Sequence, residues 1–532
     1  MTDAPAATRP RGGAIAVAAG IMLSRVFGLV RQRVLGHYLG VGDAADVLSV
    51  ALKIPNVLQN LLGEGVLSAS FVPVYARLRA EGRDEDAARL AKTVFGALSL
   101  VCAGVVLIGF AAAPALVAII GAGFGPDKQE FTVRLVRILF PGMALLVLSA
   151  WCLGVLNAHR RFFVSYAAPV VWNVAIIATL LLRGSVGDVD GAAELVAIGA
   201  VLGSVLQFAV QLPWIARELP RLRSPGTRPR PEFRRVVANF VPVVLGRGVV
   251  QLSGWIDTLI ASLVTPGAAA VLLYAQNIYM LPVSVFGMSV SASELTEMSE
   301  QKPADIEQAI RRRLNVSLRS IAFFVVPSSA TFLILGDVVA GAVLQTGRFQ
   351  RSDTEWVWAV LAGSSIGLLA GTMGRLYNSA WYALHDTATP VRIAMIRIAI
   401  AASLGSVAAL LVPGWLHIEP RWGLAGLTAS AGAAAWIEYA LLRRKLNARI
   451  GPTGLPSGFL ARLWGSAVAA CAIGFAVKVA AVNLNPVASG AIVLGIVGVA
   501  YFAMTHALAV PESAATVARI VARISRPRRS GP

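Results

Sequence analysis

Residues 44–76 read AADVLSVALKIPNVLQNLLGEGVLSASFVPVYA. Most of this stretch is Val, Leu, Ile and Ala, and it exceeds the roughly 20 apolar residues that cross a bilayer. Yet Asp46, Ser49, Lys53, Asn56, Asn60 and Glu64 recur every three or four positions, so they share one face of a helix. Ionisable groups at membrane depth are costly and face a cavity or a partner. One reading is an Asp46/Lys53/Glu64 network that glues helices together. The other is the wall of a hydrophilic cavity, and six polar residues exceed what gluing needs. Pro55 is expected to kink this helix.

Working outward, long apolar runs recur along all 532 residues. Candidate spans are 14–39, 44–76, 91–120, 131–157, 163–183, 192–215, 236–264, 268–298, 315–343, 354–384, 390–412, 422–442, 460–482 and 486–509. The chain is 56% hydrophobic and 14% charged, against about 25% charged in soluble domains. That excludes a water-soluble globule, and disorder needs low hydrophobicity. The reading is an all-α polytopic membrane protein of about 14 transmembrane helices. The first apolar run, Gly13 to Ser24, continues through Arg25 to Leu39 and is read as a retained span, not a cleaved signal.

Charge sets the orientation. Alternate connections and both termini carry about 32 of the 47 Lys and Arg, and the opposite connections about five. Basic connections face the cytoplasm, so both termini are expected there. The net charge of +19 then implies anionic membrane lipids as partners and not nucleic acid. No connection exceeds about 20 residues, so no soluble catalytic domain fits, and an enzyme is not expected. The stretch SPGTRPRP (Ser224 to Pro231) is the best linker. It divides a six-helix lobe at 1–222 from a second at 232–450, followed by two further helices at 456–512 and a basic cytoplasmic tail at 513–532. Repeats of this kind are common in transporters, with the substrate site between them.

Other spans carry charges too. Arg25, Arg31 and Arg33 surround Gly28 in the first. Arg25 and Arg31 are six residues apart, about 120° on a regular helix. The seventh span holds Arg247, Gln251 and Asp257, with an Arg247–Asp257 pair as one reading, and the eighth holds Gln276 and Asn277. Glu294, Glu297 and Glu300 read as a solvated helix end. Arg375 and Asn378 are weaker cavity candidates, and Glu438 and Lys478 read as lone charges near an interface. Cys102, Cys152 and Cys471 lie in apolar stretches without metal or disulfide spacing, and the five histidines share no ligand spacing, so no metal is expected. A cavity with more cation than anion suits phosphate or pyrophosphate, which guanidinium binds bidentately.

At these residues the chain resembles the MurJ/MviN lipid II flippase family of the MOP exporter superfamily. The resemblance rests on Ser24-Arg25-Val26-Phe27-Gly28-Leu29-Val30-Arg31, Asp46, Ile54-Pro55-Asn56, and Glu64-Gly65 with Ser68 and Phe71-Val72-Pro73. Further matches are Leu281-Pro282 with Phe286-Gly287, Gln345-Thr346-Gly347-Arg348-Phe349, and Trp381-Tyr382-Ala383 with Asp386-Thr387 and Thr389-Pro390. The resemblance implies two six-helix lobes around a central cavity, with the last two helices building a groove for a lipid tail. It implies transport of a polyprenyl-pyrophosphate-linked peptidoglycan precursor from the inner to the outer leaflet by alternating access, in the bacterial cytoplasmic membrane. No cofactor is implied, and the drive would be the membrane potential or a cation gradient.

The candidate cavity set is Arg25, Arg31, Asp46, Lys53, Asn56, Gln59, Glu64, Arg247 and Asn277; the resemblance carries Arg25, Arg31, Asp46, Asn56 and Glu64, and it puts Asp257 at an acidic position linked to sodium in some members. Ala401-Ala402 leaves such a site incomplete. Gln59 and Asn277 stand where the family usually has arginine, and Gln32 where it has an acid. Those departures keep two alternatives open. One is an exporter of another lipid-linked glycan or amphiphile, and the other is a transport-dead scaffold for cell-wall synthesis proteins.

Overall fold

The computed structural model describes residues 11–219, 230–284, 306–384, 386–480 and 483–514. All regular structure among them is helical. In chain order the helices are α1 Arg11–Leu39, α2 Asp43–Leu62, α3 Glu64–Ser70, α4 Val72–Ala80, α5 Asp84–Ile120, α6 Pro126–Ala158, α7 Phe162–Arg183, α8 Val189–Glu218, α9 Arg230–Val264 and α10 Ala268–Pro282. Then come α11 Ile306–Leu344, α12 Arg351–Ser365, α13 Leu368–Ala383, α14 Ala388–Leu410, the short α15 Val412–Leu416, α16 Gly423–Ile450, α17 Ser457–Ala480 and α18 Pro486–Ala507. Among the described residues, nine helical segments are long and apolar enough to cross a membrane, and α12 with α13, bent by 45°, makes a tenth. The other expected spans coincide with α1, α9, α10 and α16, which are shorter or more polar. Glu294, Glu297, Glu300, Phe286, Gly287, most of the 224–231 linker and the tail from 515 lie outside the described residues.

Helix ends follow local chemistry. Asp188 and Asn485 accept the N–H groups of Gly191 and Ala488 at 2.8 Å each, capping α8 and α18. Asp386 caps α14 by accepting from Thr389 N at 2.9 Å and Thr389 Oγ1 at 2.8 Å, which explains that Asp-Thr-x-Thr-Pro motif. The kink expected at Pro55 is displaced: α2 runs through it, and the helix breaks at Gly63. A Cβ on Gly63 would lie 2.2 Å from the carbonyl oxygen of Gln59, so the break needs glycine.

Contacts divide the chain into two compact units. The first holds Met1–Ala270 with Thr346–Phe349, and the second holds the rest. The division therefore falls after α9 and not at the 224–231 linker, because α9 packs on α2, α3 and α5. Within unit 1, α6 runs among α2, α5 and α8, and α7 packs on α1 and α8. Ser149 of α6 accepts from both Gln207 and Gln211 of α8 at 2.9 Å, tying the two helices through a buried polar cluster. The Thr346–Phe349 segment docks on the end of α1: Arg348 N donates to His37 O at 3.0 Å, and His37 Nδ1 lies 3.1 Å from Thr346 Oγ1. Gly347, at φ +54°, leaves no room for a side chain against His37.

Unit 2 is joined through small residues. A Cβ on Gly367 would stand 2.4 Å from the Cα of Gly432, so the α12–α13 bend and α16 touch backbone to backbone. Gly423 and Gly426 of α16 press likewise on Ala409 and Ala408 of α14. Without a hydrophobic drive between helices in lipid, such close approach supplies the dispersion contact. The last two helices pack on α11 and on each other inside unit 2.

Candidate functional site

The polar stripe of α2 and α3 meets a second stripe on α9, running antiparallel inside unit 1. Lys53 faces Asp257, and its Nζ would be 3.4 Å from a Cβ on Gly254. Asn60 Nδ2 donates to Gln251 Oε1 at 3.2 Å. Glu64 faces Arg247, with Tyr166 of α7 on another side. The Arg247 guanidinium lies so close over Gly65 that a methyl there would fall 1.8 Å from Nη2. Three rungs therefore join the stripes, each matching a cation to an anion or an amide to an amide. Arg247 and Asp257 stand ten residues apart on α9, about 15 Å along a helix axis, and each faces a residue of α2 or α3. Asn60 and Gln251 were legible only as stripe members, because nothing in one sequence pairs two helices 190 residues apart.

The remaining candidates fall into different settings. Arg25 is exposed, and so are Asn56 and Glu64, while Gln59 is half-buried. Arg31 turns away to α7, where its guanidinium lies 4.8 Å over the Trp172 ring and its Nε has no hydrogen-bond partner. The angular separation of Arg25 and Arg31 is thus kept. Asp46 does not present its carboxylate to a cavity. It is 1% exposed and accepts from Lys128 Nζ at 2.7 Å, Gly267 N at 2.7 Å and Ala270 N at 2.9 Å. Its charge caps the start of α10 and closes the α9–α10 turn, where negative charge is favoured. Asp43 holds the same ammonium at 2.7 Å, and Gly123 N donates to Ser262 Oγ at 3.3 Å beside it.

In unit 2, Asn277 Nδ2 donates to Leu273 O of its own helix at 2.9 Å. Unit 2 also joins Arg375 and Asn378, weaker cavity candidates in the sequence, to Arg397 and Glu438, whose pairing the sequence reading missed. Arg397 Nε lies 3.2 Å from Glu438 Oε2, Asn378 hydrogen-bonds Glu438, and Arg375 approaches both Glu438 and Tyr279. Glu438 is therefore no lone interfacial charge, and Lys478 is likewise paired, with Asp337 at 2.5 Å. The signal available was the coincidence of Arg375, Arg397 and Glu438 in three neighbouring apolar spans. Cys102, Cys152 and Cys471 are free and buried. Among the described residues no group of three or more His, Cys, Asp or Glu side chains is placed to hold a metal.

A family model described as "Lipid II flippase MurJ" matches residues 35–502. The chain belongs to the lipid II flippase MurJ family. Among relatives, it is 30% identical over 445 residues to the probable lipid II flippase MurJ of Rhizobium tropici, covering 78% of this chain and 83% of that one. In structure it is similar to a lipid II flippase MurJ in an inward closed conformation, with TM-score 0.73 at 21% identity, covering 93% of this chain and 98% of the other. A multidrug resistance MATE transporter of the MOP superfamily in an inward-facing conformation matches at TM-score 0.64 and 14% identity, over 82% and 98%. The chain is thus a polytopic membrane protein with the MurJ fold, as the resemblance implied.

Proposed function

We propose that this protein carries lipid II, or a closely similar polyprenyl-pyrophosphate-linked precursor, from the inner to the outer leaflet of a bacterial cytoplasmic membrane. Family membership supports the cargo class, and the antiparallel polar pairing of α2–α3 with α9 carries the mechanism. Arg247 faces Glu64, both exposed on one side of an apolar unit. A pyrophosphate offers two oxyanion faces to a planar guanidinium, so it competes with a single carboxylate for Arg247. Arg25 supplies a second, exposed cation. Cargo binding would then loosen the α3–α9 rungs, and release would restore them, linking occupancy to helix movement as alternating access requires. The cycle is read as transport without bond-making, driven by the membrane potential or a cation gradient. On this reading both termini face the cytoplasm, and cell-wall synthesis proteins are candidate partners.

One observation favours a second reading. By the resemblance, Gln59 and Asn277 stand where the family usually carries arginine, and Asn277 is tied to its own helix. A cargo with fewer negative charges, such as another lipid-linked glycan, fits that loss. Depletion of the protein in its own cell, with mass analysis of lipid-linked intermediates, tests both readings. Accumulated lipid II supports the first and a different polyprenyl glycan the second. An unchanged lipid pool leaves only the scaffold role.

A further inference from the structure

A cavity of about 380 Å³ lies between α5 and α6 in unit 1, lined by Phe110, Glu130, Val133, Arg134, Arg137 and Ile138. Two prolines shape it. Pro114, inside α5, has no N–H and so leaves the carbonyl of Phe110 without its helical donor. Arg137 Nε donates to that carbonyl at 3.3 Å, and its guanidinium lies 4.9 Å over the Phe110 ring. Pro141, inside α6, removes in the same way the helical donor to the carbonyl of Arg137 itself. Arg137 is therefore fixed in place by groups that leave its charge uncompensated. Among the described residues it has no carboxylate partner, and neither Glu130 nor Arg137 enters an ion pair. Arg134 is held by Glu194 at 2.9 Å.

The surroundings are those of a lipid-facing wall. Leu107 and Ile108 are 72% and 68% exposed on α5. Counting roughly 20 residues from Lys92, the last charge of α5, brings the far edge of the hydrocarbon layer to about Ala112. By that count Phe110 falls two residues inside the edge, within reach of a lipid headgroup. Two cations and two carboxylates occupy the neighbourhood, so there is no net positive field to gather anionic lipid in general. An unpaired guanidinium beside an unpaired carboxylate matches a headgroup that carries both signs.

We infer that this cavity binds a zwitterionic, primary-amine phospholipid, with the phosphodiester on Arg137, the ammonium on Glu130 and acyl chains along Leu107 and Ile108. The site is separate from the polar rungs of α2, α3 and α9, so its test is independent of the cargo. The full chain in detergent is titrated with phosphatidylethanolamine, phosphatidylcholine or phosphatidylglycerol, and retained lipid is counted by native mass spectrometry. Arg137→Ala should lower apparent affinity for phosphatidylethanolamine by roughly tenfold, the loss expected for one charge-assisted hydrogen bond. Glu130→Gln, exposed and nearly isosteric, should abolish the preference for phosphatidylethanolamine over phosphatidylcholine while leaving the fold intact. Unchanged retention in Glu130→Gln overturns the proposal, as does phosphatidylglycerol binding the unmodified chain as well as phosphatidylethanolamine.

Discussion

Arg247, Gly65 and Asp46 define what single side chains do in unit 1. Arg247→Ala should reduce transport of the lipid-linked cargo in reconstituted vesicles by roughly tenfold or more, from the charge-assisted bonds it would make. Arg247→Lys should recover only part, because an ammonium lacks the planar fork. Full transport by the alanine variant would reduce Arg247 to a partner of Glu64. Gly65→Ala places a methyl where the guanidinium lies, so it should lower transport without removing the protein from the membrane. Wild-type flux in that variant would show that Arg247 can sit elsewhere at no loss. Asp46→Asn, by contrast, leaves Lys128 and the α10 start without a buried anion and should destabilise the protein by about 3–5 kcal/mol. Thermal melting in detergent measures it, and an unshifted transition would mean that the cap is dispensable.

At the scale of helices, the ends of α4, α6 and α8 meet through His159, just past α6. Its Nε2 lies 2.8 Å from the Tyr75 hydroxyl and its Nδ1 2.8 Å from Glu218 Oε2. In the neutral ring, Nδ1–H donates to the carboxylate and Nε2 accepts from the tyrosine. Burial first, and then the Arg79 cation, hold this imidazole below its ordinary pKa. The folded protein therefore binds the proton less readily than the unfolded chain. Its stabilising contribution is full above about pH 6.5 and fades as the pH falls through the lowered value. Melting temperature should drop on acidification in the wild type and drop less in His159→Gln, and parallel slopes would sink the assignment. The α12–α16 crossing makes a similar demand on size. Gly432→Ala adds a methyl 2.8 Å from Gly367 N, and overpacking of this kind costs about 1–3 kcal/mol, again read by melting.

Over the whole molecule, orientation is the property most open to test. With both termini cytoplasmic, a cysteine placed near Gly187 or Ser352 should react with an impermeant thiol reagent in intact cells. One placed in the tail should not. Labelling of the tail from outside would reverse the charge-based map. The native Cys102, Cys152 and Cys471 are buried, so the background should be low.

The apolar runs, the polar stripe of residues 46–64 and the arginines around Gly28 were legible because helix period and membrane length act locally along the chain. Side-chain partnership is not local. Asp46 and Glu64 sit on one stripe of like appearance, yet one is sealed under the α9–α10 turn and the other stands exposed beside Arg247. Arg25 and Arg31 look equivalent in sequence, but Trp172 captures only Arg31. Glu438 and Lys478 looked solitary until α14 and α11 brought Arg397 and Asp337 to them. Sequence by itself determined which segments enter the membrane and which faces are polar, since burial of apolar surface and backbone hydrogen bonding depend on neighbouring residues. The tertiary structure alone decided which charges are neutralised and which stay free, because a charge in a low-dielectric interior is governed by whatever lies within a few ångströms, however distant in the chain.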